Sequence, residues 1–320
     1  TNASKVRDVS VSVAEAGCLP GRSLKATLHR VEHHHAHMAS AFFVSPFEQA
    51  ALLSIDGFGD FASTMLAVGE GPRIKVLDRV LFPHSLGLLY TAVTQWLGFP
   101  HYGDEGKVMG LAPYGSPTRV DELRRLITLK RAGHFELDLR YFRHHTENVA
   151  MTWDDDYPTM GRVFSPELER LLGPARDPKA PLEPAHEDLA RSLQALYEEC
   201  AMHVLNGVWA RTKNPRLCLA GGCAMNSVAN GKIRAQTPFT DVYIQPAAGD
   251  NGTALGAAQF VWHSTLGKPR GFQMRHGYWG TAYPHPDGRA LLRAAGRADD
   301  EFDVQVCPDE AAVCDATAQL

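Results

Sequence analysis

Four histidines fall within five positions of the segment VEHHHAHMAS (31–40): His33, His34, His35 and His37. On a helix, residues four apart share a face with Cβ atoms about 6 Å from each other, so His33 and His37 can reach one metal ion, as the two histidines of an HExxH helix do. His34 and His35 point elsewhere. Alone, such a cluster fits solvated or packed histidines as well as it fits ligands, and the alanine interrupting the run sets it apart from a purification tag. Further along, SIDGFGD (54–60) places Asp56 and Asp60 around Gly57 and Gly59. Tight glycine loops of this kind can turn their N–H groups on an anion, and Asp56, at a strand end, can offer a carboxylate to a metal. A plain hairpin turn is the competing reading. LAGGCAMNS (219–227) runs from an apolar stretch through Gly221 and Gly222 to Asn226. There a ligand can lie against the main chain, negative charge is favoured, and Asn226 can hydrogen-bond a sugar or a base. PAAGDNGTALGAA (246–258) repeats the arrangement with Gly249, Asp250 and Asn251. In GDEGKVMGLAPYG (103–115), Asp104, Glu105 and Lys107 stand among four glycines, and Lys107 can meet a phosphate or carboxylate. These loops match neither GxGxxG nor GxxxxGK[ST], so neither a dinucleotide fold nor a P-loop is indicated.

The elements that must hold these residues follow from hydrophobic period. Val31, His35, Met38, Ala39 and Phe42 suit a helix over 28–43, stopped at Ser45-Pro46. Runs at 49–56, 61–69 and 73–82, separated by turn signals, predict an antiparallel meander. A helix over 85–99 with Ser85 as N-cap comes next, then the loop 100–115. Residues 130–185 carry little pattern beyond a short helix over 165–172 begun by Ser165-Pro166. A long amphipathic helix is expected over 187–212, without a strong cap. The strand PRLCLA, a helix over 225–235, the strand DVYIQP and a helix over 253–263 complete an α/β unit with a helix-covered sheet.

Composition bounds the function. The 320 residues are 44% hydrophobic, enough for a large core, and a net charge of -4 argues against holding bulk nucleic acid by counterion release. No run of 18 apolar residues and no secretion-signal pattern is present. Six cysteines without a CxxC pair fit reduced thiols and a cytoplasmic setting.

Taken in order, VEHHHAHMASAF, SIDGFGD, PHSLGLLYTAVTQWLGF, DEGKVMGLAPYG, LAGGCAMNSVANGKI and QPAAGDNGTALGAA resemble the O-carbamoyltransferases that modify nodulation factors, cephems, aminoglycosides and ansamycins, over about residues 28–265. The resemblance implies an α/β fold of the actin/Hsp70/sugar-kinase-like type, two lobes with nucleotide and metal in the cleft, related to the tRNA threonylcarbamoyltransferases. It implies His33, His37, Asp56 and Asp250 as metal ligands, with iron as the ion. Gly221, Gly222 and Asn226 fall on the adenosine side, Gly57 and Gly59 on a phosphate-side turn, and Gly249 and Asn251 in the second nucleotide loop. The implied reaction makes carbamoyl-adenylate from carbamoyl phosphate and ATP, with Mg, and passes the carbamoyl group to a hydroxyl of a small molecule, expected to be a secondary metabolite or antibiotic. The donor set itself suits Fe(II), Mn or Zn rather than Mg alone. His34 is a candidate base relaying the hydroxyl proton, and Lys107 a second candidate catalytic group. Residues 1–270 are expected to form the transferase domain without the family's first strands, and 271–320 a linker and the start of a carbamoyl-phosphate-processing domain. Alternatives that remain open are tRNA threonylcarbamoyl transfer, thiol carbamoylation in hydrogenase maturation, and a regulatory or assembly ATPase of the same superfamily.

Overall fold

A computed structural model of the chain describes residues 26–147, 149, 151–154, 157–281, 288–296 and 305–319. Expectations that touch residues 1–25, including the thiol of Cys18, lie outside the described residues. The chain divides into two compact units between Arg275 and His276, five residues beyond the boundary expected from sequence.

The first unit is built on a mixed five-stranded sheet. Helix α1 (His33–Phe42) leads into β1 (Gln49–Gly59), β2 (Ala62–Glu70) and β3 (Arg73–Leu81). Strands β8 (Arg216–Ala220) and β9 (Asp241–Ile244), met later in the chain, complete the order β3-β2-β1-β8-β9. The first three strands are antiparallel, while β1, β8 and β9 run parallel. Alternation along β1 sorts its side chains: Ala51, Leu53 and Ile55 join the core on one face and Ala50 and Leu52 that on the other. The first face is covered by α2 (Leu86–Trp96) and by a long helix near the middle of the chain; the second by α1, through Met38, Ala39 and Phe42. The expected α/β class with a helix-covered sheet is therefore present. Among the described residues there is one sheet of this size.

Several boundaries differ from the expectation, each for a physical reason. The first helix begins at His33 rather than Leu28, which is exposed and buries no face. Strand β1 does not end at Asp56 but continues through a bulge to Gly59, and the reversal falls on Asp60 and Phe61, both left-handed (φ 48° and 65°). DGFGD is thus mostly strand. Ser85 caps α2 as expected, its Oγ accepting from the Leu88 N–H at 3.1 Å. The presumed loop contains a helix, α3 (Glu105–Leu111), whose glycines weaken the signal while fully buried Val108 anchors it.

The weakly patterned region holds two small hairpins, β4 (Ile127–Leu129) with β5 (Phe135–Leu137) and β6 (Met151–Asp154) with β7 (Tyr157–Met160), and the expected helix α4 (Pro166–Leu172). The long helix α5 (Pro184–Thr212) does carry a cap, a reciprocal box between Glu183 and His186. The helix expected over 225–235 is two single turns, Ser227–Asn230 and Ile233–Gln236. Helix α6 (Thr253–Phe260) continues into one π turn and crosses α1 so closely that a Cβ on Gly256 would overlap the Ala36 carbonyl.

The second unit contains helices α7 (Gly288–Ala294) and α8 (Glu310–Ala318), the latter capped by Asp309, which accepts from the Ala312 N–H at 2.9 Å. The five described cysteines are free, and burial pushes the Cys200 and Cys218 thiols up to about 12. Among the described residues no helix is long and apolar enough to cross a membrane.

Candidate functional site

The N-terminal half of α1 and the C-terminal end of β1 bring His33, His37 and Asp56 together, and the loop entering α6 adds Asp250. His33 Nε2 and His37 Nε2 are 3.0 Å apart, and each faces Asp56 Oδ2, at 2.9 and 3.2 Å. Asp250 Oδ1 lies 3.6 and 3.4 Å from the same two nitrogens. One ligand atom from each of the four residues falls within 4.8 Å of all the others. Two imidazoles and two carboxylates aimed at one point form a donor set for a divalent ion of borderline softness.

Supporting contacts fix this geometry. Asp56 Oδ1 accepts the Gly222 N–H at 3.0 Å, so Oδ2 is left for the histidines. Asp60 accepts the His33 N–H at 2.8 Å, satisfying an open donor at the start of α1. A Cβ on Gly59 would collide with the His33 ring, and one on Gly87 would come within 2.9 Å of the Asp56 carbonyl oxygen. Burial opposes charge on both central groups. For His37 it works downward, yet the hydrogen bonds to Asp250 and Asp56 and their charges prevail and raise the imidazole to about 9. For Asp56 it works upward, yet the hydrogen bonds from His33 and His37 hold it well below the usual carboxylate range. The pair stays ionic because positive charge sits between two carboxylates, the place a metal cation would take. One feature departs from common metal sites: His37 Nδ1 is buried with no partner among the described residues, where a ligating histidine usually donates to a carbonyl or carboxylate.

Beside the cluster opens a cavity of about 670 Å³ whose lining includes Asp56, Gly57, Gly222, Asn226 and Asp250. Glu105 and Glu147 also line it, along with Tyr90 and Tyr102, but no lysine or arginine does so among the described residues.

Not every sequence candidate belongs to this assembly. His34 is fully buried, with Nδ1 on Ser54 Oγ at 2.8 Å and Nε2 on the Ala62 carbonyl at 2.9 Å. Burial depresses it to about 4. With both nitrogens engaged inside the protein it has no lone pair to offer a substrate, and the relay role is withdrawn. Lys107 is an exposed side chain paired with Asp104 Oδ1 at 2.6 Å and is absent from the cavity lining, so the fold does not bring it to the cluster. Asn226 lines the cavity, but its Oδ1 accepts from Ala229 N at 3.0 Å, capping a turn, and its amide pairs with Gln194. Gly57 has open space around it and borders the cavity, while Gly59 serves the packing of His33 instead of an anion-binding turn. Gly221 (φ 96°) allows close passage of Ile55. Gly249 packs against Met225 and Asn251, and Asn251 is exposed; neither lines the cavity. What sequence reasoning missed is the second job of Gly222 as donor to Asp56, and the role of Gly87. Neither contact has a local signal, since each partner lies far along the chain.

The profile of the family described as Carbamoyltransferase N-terminus matches residues 8–259, and the chain belongs to that family. Among curated relatives, Nodulation protein NolO of Bradyrhizobium diazoefficiens is 40% identical over 78% of this chain and 41% of its own length. Nodulation protein NolNO of Sinorhizobium fredii is 40% identical over 78% of this chain and 33% of its own. The Synechocystis protein sll1178 is 42% identical over 81% of this chain and 40% of its own. The chain thus spans well under half the length of these relatives. Of solved structures, full-length HypF in the phosphate- and nucleotide-bound form aligns with a TM-score of 0.43 and 15% identity, covering 75% of this chain and 43% of that one, a likeness too distant to bear on function.

Proposed function

We propose that this chain is the transferase part of an ATP-dependent, metal-dependent O-carbamoyltransferase, acting on a hydroxyl of a small molecule such as a secondary metabolite or antibiotic. The observation that carries the reading is the convergence of His33, His37, Asp56 and Asp250 at the edge of a 670 Å³ cavity in a chain of the carbamoyltransferase family. On this reading the four residues hold Fe(II), with Zn or Mn as chemically matched substitutes, and such an ion supplies Lewis-acid polarisation of an acyl or phosphoryl oxygen. ATP and carbamoyl phosphate are the co-reactants. The acceptor hydroxyl oxygen bonds to the carbamoyl carbon of carbamoyl-adenylate, the carbon–oxygen bond to phosphate breaks, AMP leaves, and the hydroxyl proton is released.

The chain's own residues bear on three parts of that scheme. The lining carboxylates Asp56, Asp250, Glu105 and Glu147, with no lysine or arginine among the described lining residues, disfavour a bare polyphosphate and favour a nucleotide entering as its Mg complex. The same acidic wall favours a neutral or cationic acceptor over an anionic one. Aromatic walls from Phe58, Phe82, Tyr90 and Tyr102 provide flat apolar surface for a ring. The two-lobe, actin/Hsp70/sugar-kinase-like architecture and the cytoplasmic setting belong to this proposal.

The test is incubation of the whole protein with Fe(II), Mg-ATP, carbamoyl phosphate and a panel of hydroxylated small molecules, followed by mass spectrometry. The expected product is one carbamoyl group per acceptor, with AMP, pyrophosphate and the inorganic phosphate released from carbamoyl phosphate. Failure to form carbamoyl-adenylate refutes the proposal.

A further inference from the structure

The cavity beside the cluster offers few side-chain hydrogens to a ligand. Among the described residues four hydroxyls line it, those of Tyr90, Thr91, Tyr102 and Tyr197, and no lysine or arginine does. Three of the four give their hydrogen to the protein. The Tyr90 hydroxyl donates to Gln194 Oε1 at 3.0 Å, Thr91 Oγ1 to Glu105 Oε1 at 2.5 Å, and the Tyr197 hydroxyl to the Cys223 carbonyl at 3.0 Å. A carboxylate and a carbonyl can only accept, which fixes the last two directions. The Tyr102 hydroxyl has no hydrogen-bond partner among the described residues. It is also within reach of a ligand, since Tyr102 lines the cavity and is 49% exposed.

That hydroxyl stands among the acids of the same wall. Burial, and after it the charges of Asp250, Asp56 and Glu105, push the Tyr102 phenol up to about 12, so its oxygen feels all three carboxylates while bonding none of them. Their oxygens are engaged elsewhere. Asp56 Oδ1 holds the Gly222 N–H and Oδ2 faces the two histidines, while Glu105 takes Thr91 on Oε1 and the Gly103 N–H on Oε2 at 3.1 Å. Asp250 turns Oδ1 toward His33 and His37. The backbone under Tyr102 is fixed as well. Its N–H donates to the Pro158 carbonyl of β7 at 2.9 Å, and Asp104 Oδ2 accepts the His101 N–H at 2.8 Å across the turn. Gly103 follows at φ 92°, a left-handed conformation that glycine adopts without strain and that leads the chain into α3. Tyr102 is thus presented from a hydrogen-bonded turn with a hydrogen to donate and no internal acceptor for it.

We infer that Tyr102 is a catalytic residue of the proposed reaction, its hydroxyl donating a hydrogen bond to a ligand oxygen that carries or gains negative charge beside the cluster. The carboxylate wall repels such an oxygen, and a neutral donor placed in that wall offsets the repulsion where the charge develops. The phenol keeps its proton throughout, so no bond breaks at Tyr102. Two oxygens share this chemistry, a phosphoryl oxygen of the nucleotide and the acyl oxygen of the carbamoyl group during attack by the acceptor hydroxyl. The inference rests on the proposed reaction for this pair of oxygens.

The experiment compares the whole protein with its Tyr102→Phe variant, which keeps the ring and removes only the hydroxyl. Calorimetric titration with Mg-ATP and with adenosine tests the phosphoryl oxygen: the variant is expected to bind Mg-ATP about tenfold more weakly and adenosine within about twofold of the wild type. Steady-state transfer from carbamoyl phosphate tests the acyl oxygen: kcat is expected to fall about 100-fold, with Mg-ATP affinity and the acceptor KM within about twofold of the wild type. Either pattern supports the inference, and the one that appears identifies the oxygen. Equal weakening of Mg-ATP and adenosine marks a structural role, and a variant that matches the wild type in both measurements marks none; each of these overturns the inference. Absence of carbamoyl-adenylate in the wild type refutes the proposed reaction, whereas the titration reads binding without turnover and decides on Tyr102 separately.

Discussion

Replacing Gly222 by alanine isolates the orientation of Asp56, a proposed metal ligand, from the stability of the fold. A Cβ at this position would come 2.7 Å from Asp56 Oδ1, the oxygen held by the Gly222 N–H at 3.0 Å. To reach 3.4 Å, where ordinary contact begins, that oxygen must retreat by about 0.7 Å. Designed and natural sites tolerate roughly 0.5 Å of displacement, and metal–ligand distances roughly 0.2 Å. The carboxylate must therefore rotate, carrying Oδ2 away from His33 and His37. The clash is with the end of a side chain and the backbone of Gly222 is not left-handed, so the fold itself should lose less than about 1 kcal/mol. Disturbing a group that orients a ligand typically costs 10–100-fold in metal affinity, about 1.4–2.7 kcal/mol. Anaerobic Fe(II) titration against a competing chelator, with a thermal melt of the metal-free protein beside it, reads both quantities. An unchanged Fe(II) affinity, or a drop matched by an equal loss of stability, would refute the reasoning.

Other outcomes follow from the same geometry. His33→Ala combined with His37→Ala should abolish stoichiometric Fe(II) binding, measured by metal analysis after gel filtration. Lys107→Ala removes only an exposed ion pair, so turnover should stay within about twofold and stability within about 0.5 kcal/mol. Gln194→Leu strands buried Tyr90 and half-buried Asn226 and should lower the urea-derived stability by about 2–4 kcal/mol. Gly110→Ala, where a Cβ meets nothing within 4 Å on α3, should raise it by up to about 1 kcal/mol.

The meander, Ser85 as a cap, the two strands PRLCLA and DVYIQP and the His33–His37 pair are legible because each rests on local period, a capping residue or a four-residue spacing. Helix α3 was hidden by its glycines; only the burial of Val108 by distant residues makes that segment helical. His34 illustrates a different limit. The sequence places it beside the ligands, yet on a helix adjacent residues diverge by about 100°, and only the fold discloses that Ser54 and the Ala62 carbonyl consume its nitrogens. Asn226 was found as a cavity residue but its partner Gln194 was not, because an amphipathic stripe gives no sign of which polar side chain lies behind a pocket.

The four residues proposed to hold the metal are drawn from α1, from β1 and from the turn that enters α6, with the parallel pairing of β1 and β8 between them. An ion bound by all four would act as a removable cross-link between His33 and Asp250, joining two ends of the first unit that the chain itself connects only through every intervening strand. Closing so long a loop reduces the freedom of the unfolded chain, so the metal would resist global unfolding as well as serving the reaction. Apo and loaded protein should therefore differ most in how soon the contact between α1 and α6 opens.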